Sequence, residues 1–289
     1  MRPGARLAPY GFVLLWSSSF ITARVGLALV SPLLFVALRL VAAAALLGIV
    51  LAVRRQSWAP LRGRWHHLAL AGALVNGVTL SAFHVGMVTE NVAVMALMQT
   101  LSPMLIALSA MPLLGERLGS RQWLGVTLGA VGVIVVVAPR ALEGSAAWGA
   151  IRLGLLGAVS LAGGTIYFGR FGRDVPIVPA TAVQLGAAAI VTVGLLIAFE
   201  HPHASWTFPA IASVAWNVLA VSIGAMALYY YMLSHGTAGR VAANFYLIPG
   251  TVAFLGWVLL GERLTLPAVL GFAVASVGVF LVARRQPTQ

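Results

Sequence analysis

Residues 101–118 read LSPMLIALSAMPLLGERL, and residues 247–264 read LIPGTVAFLGWVLLGERL. The two stretches align without a gap at an offset of 146, and the match runs on to residues 137 and 283. Pro103 meets Pro249, Ala107 meets Ala253, and Gly115-Glu116-Arg117 meets Gly261-Glu262-Arg263. Further on, Leu124-Gly125 meets Leu270-Gly271, and Val131-Gly132-Val133 meets Val277-Gly278-Val279. The same offset pairs Ser19 with Thr165 and Arg24 with Arg170. The chain is therefore two copies of one unit. An odd number of membrane helices in each copy sets the second upside down relative to the first, a construction that places a solute site at mid-membrane.

Composition puts this unit in lipid. Of 289 residues, 61% are hydrophobic and 8% charged, and the mean hydropathy is +0.98. A soluble domain carries about a quarter charged residues. At roughly 20 residues per span there is room for about ten helices. The apolar runs are too long and continuous for a β-barrel, and in hydrocarbon a helix satisfies its amides within its own segment. Hydropathy and turn signals predict helices over 8–29, 32–53, 67–88, 92–112 and 121–138, then over 153–170, 178–199, 210–233, 240–260 and 266–283. The predicted fold is an all-α membrane protein of about ten transmembrane helices, arranged as two inverted five-helix repeats around a central cavity. The repeats span 1–141 and 150–285. Arg2 and Arg6 followed by Tyr10–Leu29 look like a signal peptide, but the apolar segment is longer than a usual signal core and matches the start of the second half. It reads as a retained first helix.

The net charge is +12 and all 18 basic residues are Arg. They lie at helix ends and in loops, so nucleic acid is not the expected partner; lipid is. With both termini cytoplasmic, thirteen arginines fall inside: Arg2, Arg6, Arg54, Arg55, Arg62, Arg64, Arg117, Arg121, Arg170, Arg173, Arg240, Arg284 and Arg285. Four fall outside (Arg24, Arg140, Arg152 and Arg263), and Arg39 lies within a helix. The excess predicts a multi-pass protein of the inner (plasma) membrane with both ends cytoplasmic. The chain has no cysteine, so disulfides and thiolate chemistry are excluded.

Pro-x(11)-Gly-Glu-Arg ending the fourth helix of each five-helix repeat (Pro103 to Arg117, Pro249 to Arg263) resembles the drug/metabolite transporter superfamily in its EamA-type branch. Leu15-Trp16-Ser17-Ser18-Ser19-Phe20 resembles the family's first helix, and Arg39 its recurrent second-helix arginine. The resemblance covers essentially the whole chain. It implies an exporter or facilitator of amino acids, drugs or metabolites, with exporters of aromatic and other neutral amino acids (YddG-like) nearest. Many members carry lysines at loop ends, whereas this chain has none.

Moving a polar solute through oil requires polar and aromatic groups facing inward, so mid-membrane polar residues carry the information. Met98 and Gln99 in the fourth helix share a face with Met95 and Ser102, and Asn244 and Tyr246 occupy the equivalent ninth-helix stretch. Asn76, Phe83 and His84 in the third helix, with Tyr230 in the eighth, form a second group. Trp16 and Ser17 in the first helix complete the predicted substrate-binding set. Each has a plainer reading as interhelical hydrogen bond, packing or interfacial belt. Arg39 is expected to be structural, pairing with Glu90 or reaching outward, or to attract a substrate carboxylate. Pro103 and Pro249 are expected hinges, since each removes a helix hydrogen bond.

All six acids (Glu90, Glu116, Glu143, Asp174, Glu200 and Glu262) fall at turns, so facilitated efflux or exchange by alternating access is expected. A proton-coupled drug or metabolite antiporter using His84 is the alternative. No cofactor is expected: there is no P-loop signature, and the histidines lie at different depths, which rules against a metal site. A membrane-embedded enzyme is the remote reading, because no Ser-His-acid set shares a face. A channel would need a continuous polar stripe. The expected partners are a small-molecule solute and the bilayer. Gly125, Gly129 and Gly132 on the fifth helix, and Gly271, Ala275 and Gly278 on the tenth, are expected to pack closely within the monomer or in self-association.

Overall fold

The computed structural model describes residues 3–114, 119–142, 144–172, 175–225, 228, 232, 247–262 and 265–283. Long apolar runs between charged turns fold as helices, and among the described residues they form five rods in each half. In the first half these are α1 (Pro3–Leu27), α2 (Pro32–Val53), a third rod, a fourth rod, and α7 (Ser120–Ala141). The third rod is α3 (Trp65–Gly72), a π-helical turn (Ala73–Val78) and α4 (Thr79–Thr89). The fourth is divided into α5 (Val92–Gln99) and α6 (Leu101–Leu114). The second half holds α8 (Ser145–Phe171), α9 (Ile177–Phe199), α10 (Phe208–Trp216) running into a second π-helical stretch (Asn217–Ala225), α11 (Ile248–Leu260) and α12 (Leu266–Ala283). Seven of these helices are long and apolar enough to cross a membrane, and α11 and α12 are shorter apolar helices.

The break in the fourth rod has a local cause. Pro103 lacks an amide hydrogen and its ring crowds the carbonyl of Gln99. The chain turns at Thr100, whose N–H and hydroxyl both donate to Leu97 O, at 2.9 and 2.6 Å. Pro249 occupies the first turn of α11, where a missing N–H costs least.

α7 and α12 are repeat equivalents and they pack on each other backbone to backbone. A Cβ on Gly132 would stand 2.5 Å from Ala275 N, and one on Gly278 would stand 2.4 Å from Gly129 N. A Cβ on Gly271 would meet Val136 at 2.3 Å. Rising numbers in α7 thus meet falling numbers in α12, so the twin helices run antiparallel and the repeats are inverted. The expected glycine faces are consumed in this contact within the chain. Self-association through the fifth or tenth helix is left only their outer, lipid-facing sides. In lipid, apolar contact between helices adds little, so close backbone approach and hydrogen bonds hold the bundle.

The π-helical stretches also obey the repeat. Adding 146 to Ala73–Val78 gives residues 219–224, inside Asn217–Ala225. Each stretch frees a carbonyl, and hydroxyls fill the gap: Leu74 O accepts from Thr79 Oγ1 (2.8 Å) and Ser160 Oγ (3.0 Å), and Asn217 O accepts from Ser222 Oγ (3.0 Å). π-helical turns are frequent at functional sites.

One end of the bundle is closed by contacts between repeats. Val30 bridges Ala204, with Ser31 N–H to His203 O at 3.0 Å and Ser205 N–H to Leu29 O at 2.8 Å. Glu200 accepts the Leu33 and Leu34 amides at 2.9 and 3.1 Å, capping the start of α2. We call this end the capped face.

Candidate functional site

Beneath the capped face, α1, α2, α4, α5, α10 and α11 surround one buried cluster. Phe20, Phe35, Phe83, Met87, Met95 and Met98 fill it, and Trp16 packs against it. Side chains this large fit because α8 presents glycines opposite them. A Cβ on Gly154 would meet Met98 Sδ at 2.3 Å, and one on Gly157 would meet the Phe83 ring at 2.9 Å.

Two buried polar atoms on the helices around this cluster have no hydrogen-bond partner among the described residues: Ser17 Oγ on α1 and His84 Nε2 on α4. The flanking serines bond their own helix, Ser18 to Leu15 O and Ser19 to Trp16 O, each at 2.7 Å. Ser17 is fully buried and does not. His84 Nδ1 lies 2.7 Å from Leu80 O. A carbonyl only accepts, so Nδ1 carries the hydrogen, and in the neutral ring Nε2 is then a bare acceptor. The ring stacks on Phe35 at 5.7 Å and 28°.

One turn along α2 from Phe35, Arg39 is buried. Its Nη1 donates to Asn217 Oδ1 at 2.9 Å and its Nε to Ser222 Oγ at 3.2 Å. The other end of Asn217 donates to Thr22 Oγ1 (2.9 Å) and Ser213 O (3.0 Å). Arg39 therefore ties α2 to the second π-helical stretch and, through Asn217, to α1. Among the described bonds of Arg39 the partners are Asn217 and Ser222 rather than Glu90, one of the pairings the sequence allows. Glu90 instead accepts the neighbouring Asn91 amide at 2.8 Å.

Of the other predicted residues, Asn76 lies half-buried in the first π-helical turn and Gln99 half-buried at the end of α5. Ser102, on the face with Met98, bonds Ala158 O of α8 at 3.0 Å. Tyr230, Asn244 and Tyr246 lie outside the described residues. The structure thus brings Trp16, Phe83, His84 and Met98 to one cluster, with Ser17 beside Trp16 on α1 and Gln99 beside Met98 on α5.

A profile of the EamA-like transporter family matches this chain twice, over residues 7–138 and 148–284. The chain belongs to the EamA-like transporter family. It is 28% identical over 281 residues to an uncharacterized inner membrane transporter, YedA, of Escherichia coli strain K12, covering 95% of this chain and 89% of that one. It is 26% identical over 283 residues to an uncharacterized transporter, YvbV, of Bacillus subtilis strain 168, covering 96% and 90%. A solved crystal structure superposes with a TM-score of 0.69 at 22% identity, covering 99% of this chain and all of that one, which supports the same fold. This EamA-like chain is a transporter by family and a multi-pass membrane protein, and the family implies a small-molecule solute. YddG-like specificity is not part of what these likenesses carry.

Sequence reading of this EamA-like transporter passed over Asn217, Thr22 and Phe35. Asn217 offered a usable signal, being a lone amide in an apolar helix. Phe35 offered none, since one phenylalanine in an apolar run is indistinguishable from lipid-facing neighbours.

Proposed function

We propose that this EamA-like transporter exports small neutral solutes, aromatic and other neutral amino acids or related metabolites, across the inner membrane by alternating access, as a facilitator or exchanger. Both termini face the cytoplasm in this reading, which puts the capped face outside. The observation that carries it is that two buried atoms, Ser17 Oγ and His84 Nε2, have no partner among the described residues, on helices that bring Trp16, Phe35, Phe83 and Met98 to one cluster. A buried polar atom without a partner costs about 1–3 kcal/mol. A passing solute that lends His84 a donor N–H and Ser17 an acceptor recovers that cost, while its side chain meets rings and thioethers that adapt to several shapes. Gln99, Asn76, Tyr230, Asn244 and Tyr246 extend the proposed path, and Pro103 and Pro249 are its proposed flexing points.

Counterflow in liposomes with a panel of amino acids tests this. Neutral, preferentially aromatic substrates are expected to exchange. His84→Ala is expected to lower flux about tenfold, as loss of one buried hydrogen bond implies, and Gln99→Ala to change the ranking of substrates. Unchanged flux of every transported solute in both variants would remove this pocket from the path.

A further inference from the structure

The Gly-Glu-Arg turn that ends α11 takes no part in the solute reading. Gly261 adopts φ 66°, a left-handed conformation that glycine accepts without a Cβ clash. That turn folds Glu262 back beneath its own helix, where its N–H donates to Gly256 O at 3.1 Å. The carboxylate then crosses into the first repeat. Glu262 Oε1 accepts the Val92 amide, the first of α5, at 3.2 Å. The passage exists because residue 256 has no side chain: a Cβ there would stand 3.0 Å from Glu262 Oε2 and 3.4 Å from Val92 Cγ2.

The same turn of the first repeat is held from its other side. Arg24 of α1 donates to the carbonyls of Met87 and Val88, which end α4. A cation thus sits at the end of α4 and an anion at the start of α5, each matched to its helix dipole. Arg24 belongs to the same repeat as the turn it holds, whereas Glu262 belongs to the other. A pocket of about 490 Å³, lined by Arg24, Leu29, Asn91, Leu260 and Glu262, opens at this spot. Below it Val92, Met95, Ile248 and Val252 are packed shut in the cluster that contains the proposed path.

We propose that Glu262 is a latch on the capped face: its bond to the first amide of α5 joins the two repeats across the closed path, and it lets go when that face opens. Gly256 and Gly261 are the positioning residues that make the reach possible. This inference rests on alternating access but not on any solute identity, and its test uses none.

The chain has no cysteine, so a single reporter can be introduced cleanly. Ile21→Cys places one in the buried cluster on α1, below the closure. A membrane-impermeant maleimide is applied to right-side-out and inside-out vesicles. Glu262→Ala is expected to raise labelling from the capped face about tenfold, in line with losing one charge-assisted hydrogen bond, and to lower it from the opposite face. Glu262→Gln, which keeps an acceptor but not the charge, is expected to fall between Ala and wild type. Gly256→Ala, which crowds the carboxylate while retaining it, is expected to act in the same direction. Labelling at the wild-type rate in Glu262→Ala and Gly256→Ala overturns the latch. So does an equal rise from both faces, because that reports loosening of the fold. Failure of the solute panel leaves this outcome untouched.

Discussion

Arg39 shows how one residue sets the energetics of a buried tie. Removing one partner of a buried polar pair leaves the other desolvated and unmet, at about 1–3 kcal/mol and more for a charge. Asn217→Ala is therefore expected to destabilise the detergent-solubilised protein by about 1–3 kcal/mol. Arg39→Ala should cost a similar amount, and the double variant much less than the sum. A coupling of about 0.5–3 kcal/mol in the double-mutant cycle is the expected signature; additive effects would show that the tie contributes nothing. Glu262 makes a second argument at this scale. Burial pushes its carboxyl above the usual carboxylate value, against the lowering pull of the Val92 amide, Arg24 and the Ala93 amide, while Glu90 adds to the rise. With the latch closed the group holds its proton more tightly than a solvated glutamate does. Desolvation of the carboxylate therefore offsets part of its attraction to the Val92 amide, which keeps the latch weak enough to open.

Among the elements, α7 and α12 carry the firmest expectation. Nothing flexible faces Gly278: a Cβ there meets Gly129 N at 2.4 Å and Gly125 O at 2.6 Å, both backbone. Gly278→Val is expected to cost about 1–3 kcal/mol through overpacking, read as a lower unfolding temperature. Gly163→Val has open space at its Cβ and should be silent by that measure. These helices also mark what was legible beforehand. Their glycine stripes were visible at the 146-residue offset, but a stripe does not say whether its partner lies in the same chain. Helix bounds came within a few residues for most rods because charged turns and long apolar runs mark them. The proline at 103 signalled a bend, and the chain went further and broke at Thr100. The π-helical turns were invisible, since one extra residue per turn leaves hydropathy unchanged. Arg39 stands out in the sequence as a charge within a helix, with Glu90 one candidate partner among several readings, but only the fold brings Asn217 of the opposite repeat beside it. Ser17 and His84 were readable as polar groups in oil. That their neighbours leave them unmet was not readable, since it depends on where every other hydroxyl and carbonyl points.

At the scale of the whole molecule, inversion makes the latch argument reciprocal. The 146-residue offset carries Glu262 onto Glu116, Gly261 onto Gly115, and Val92-Ala93 onto Ala238-Gly239, residues outside those described. In an inverted pair, a contact made by one copy at one face has its counterpart at the other face in the opposite state. A carrier that alternates must hold its two closures within a few kcal/mol of each other, so a change that weakens either closure shifts the population between them. Glu116→Gln is therefore expected to do the reverse of Glu262→Gln, lowering Ile21→Cys labelling from the capped face and raising it from the opposite face. In the double variant Glu116→Gln with Glu262→Gln, the two biases oppose each other and labelling should return toward the wild-type ratio between faces. The same direction of change from both single variants would show that the two Gly-Glu-Arg turns are mere helix ends, with no share in choosing which side is open.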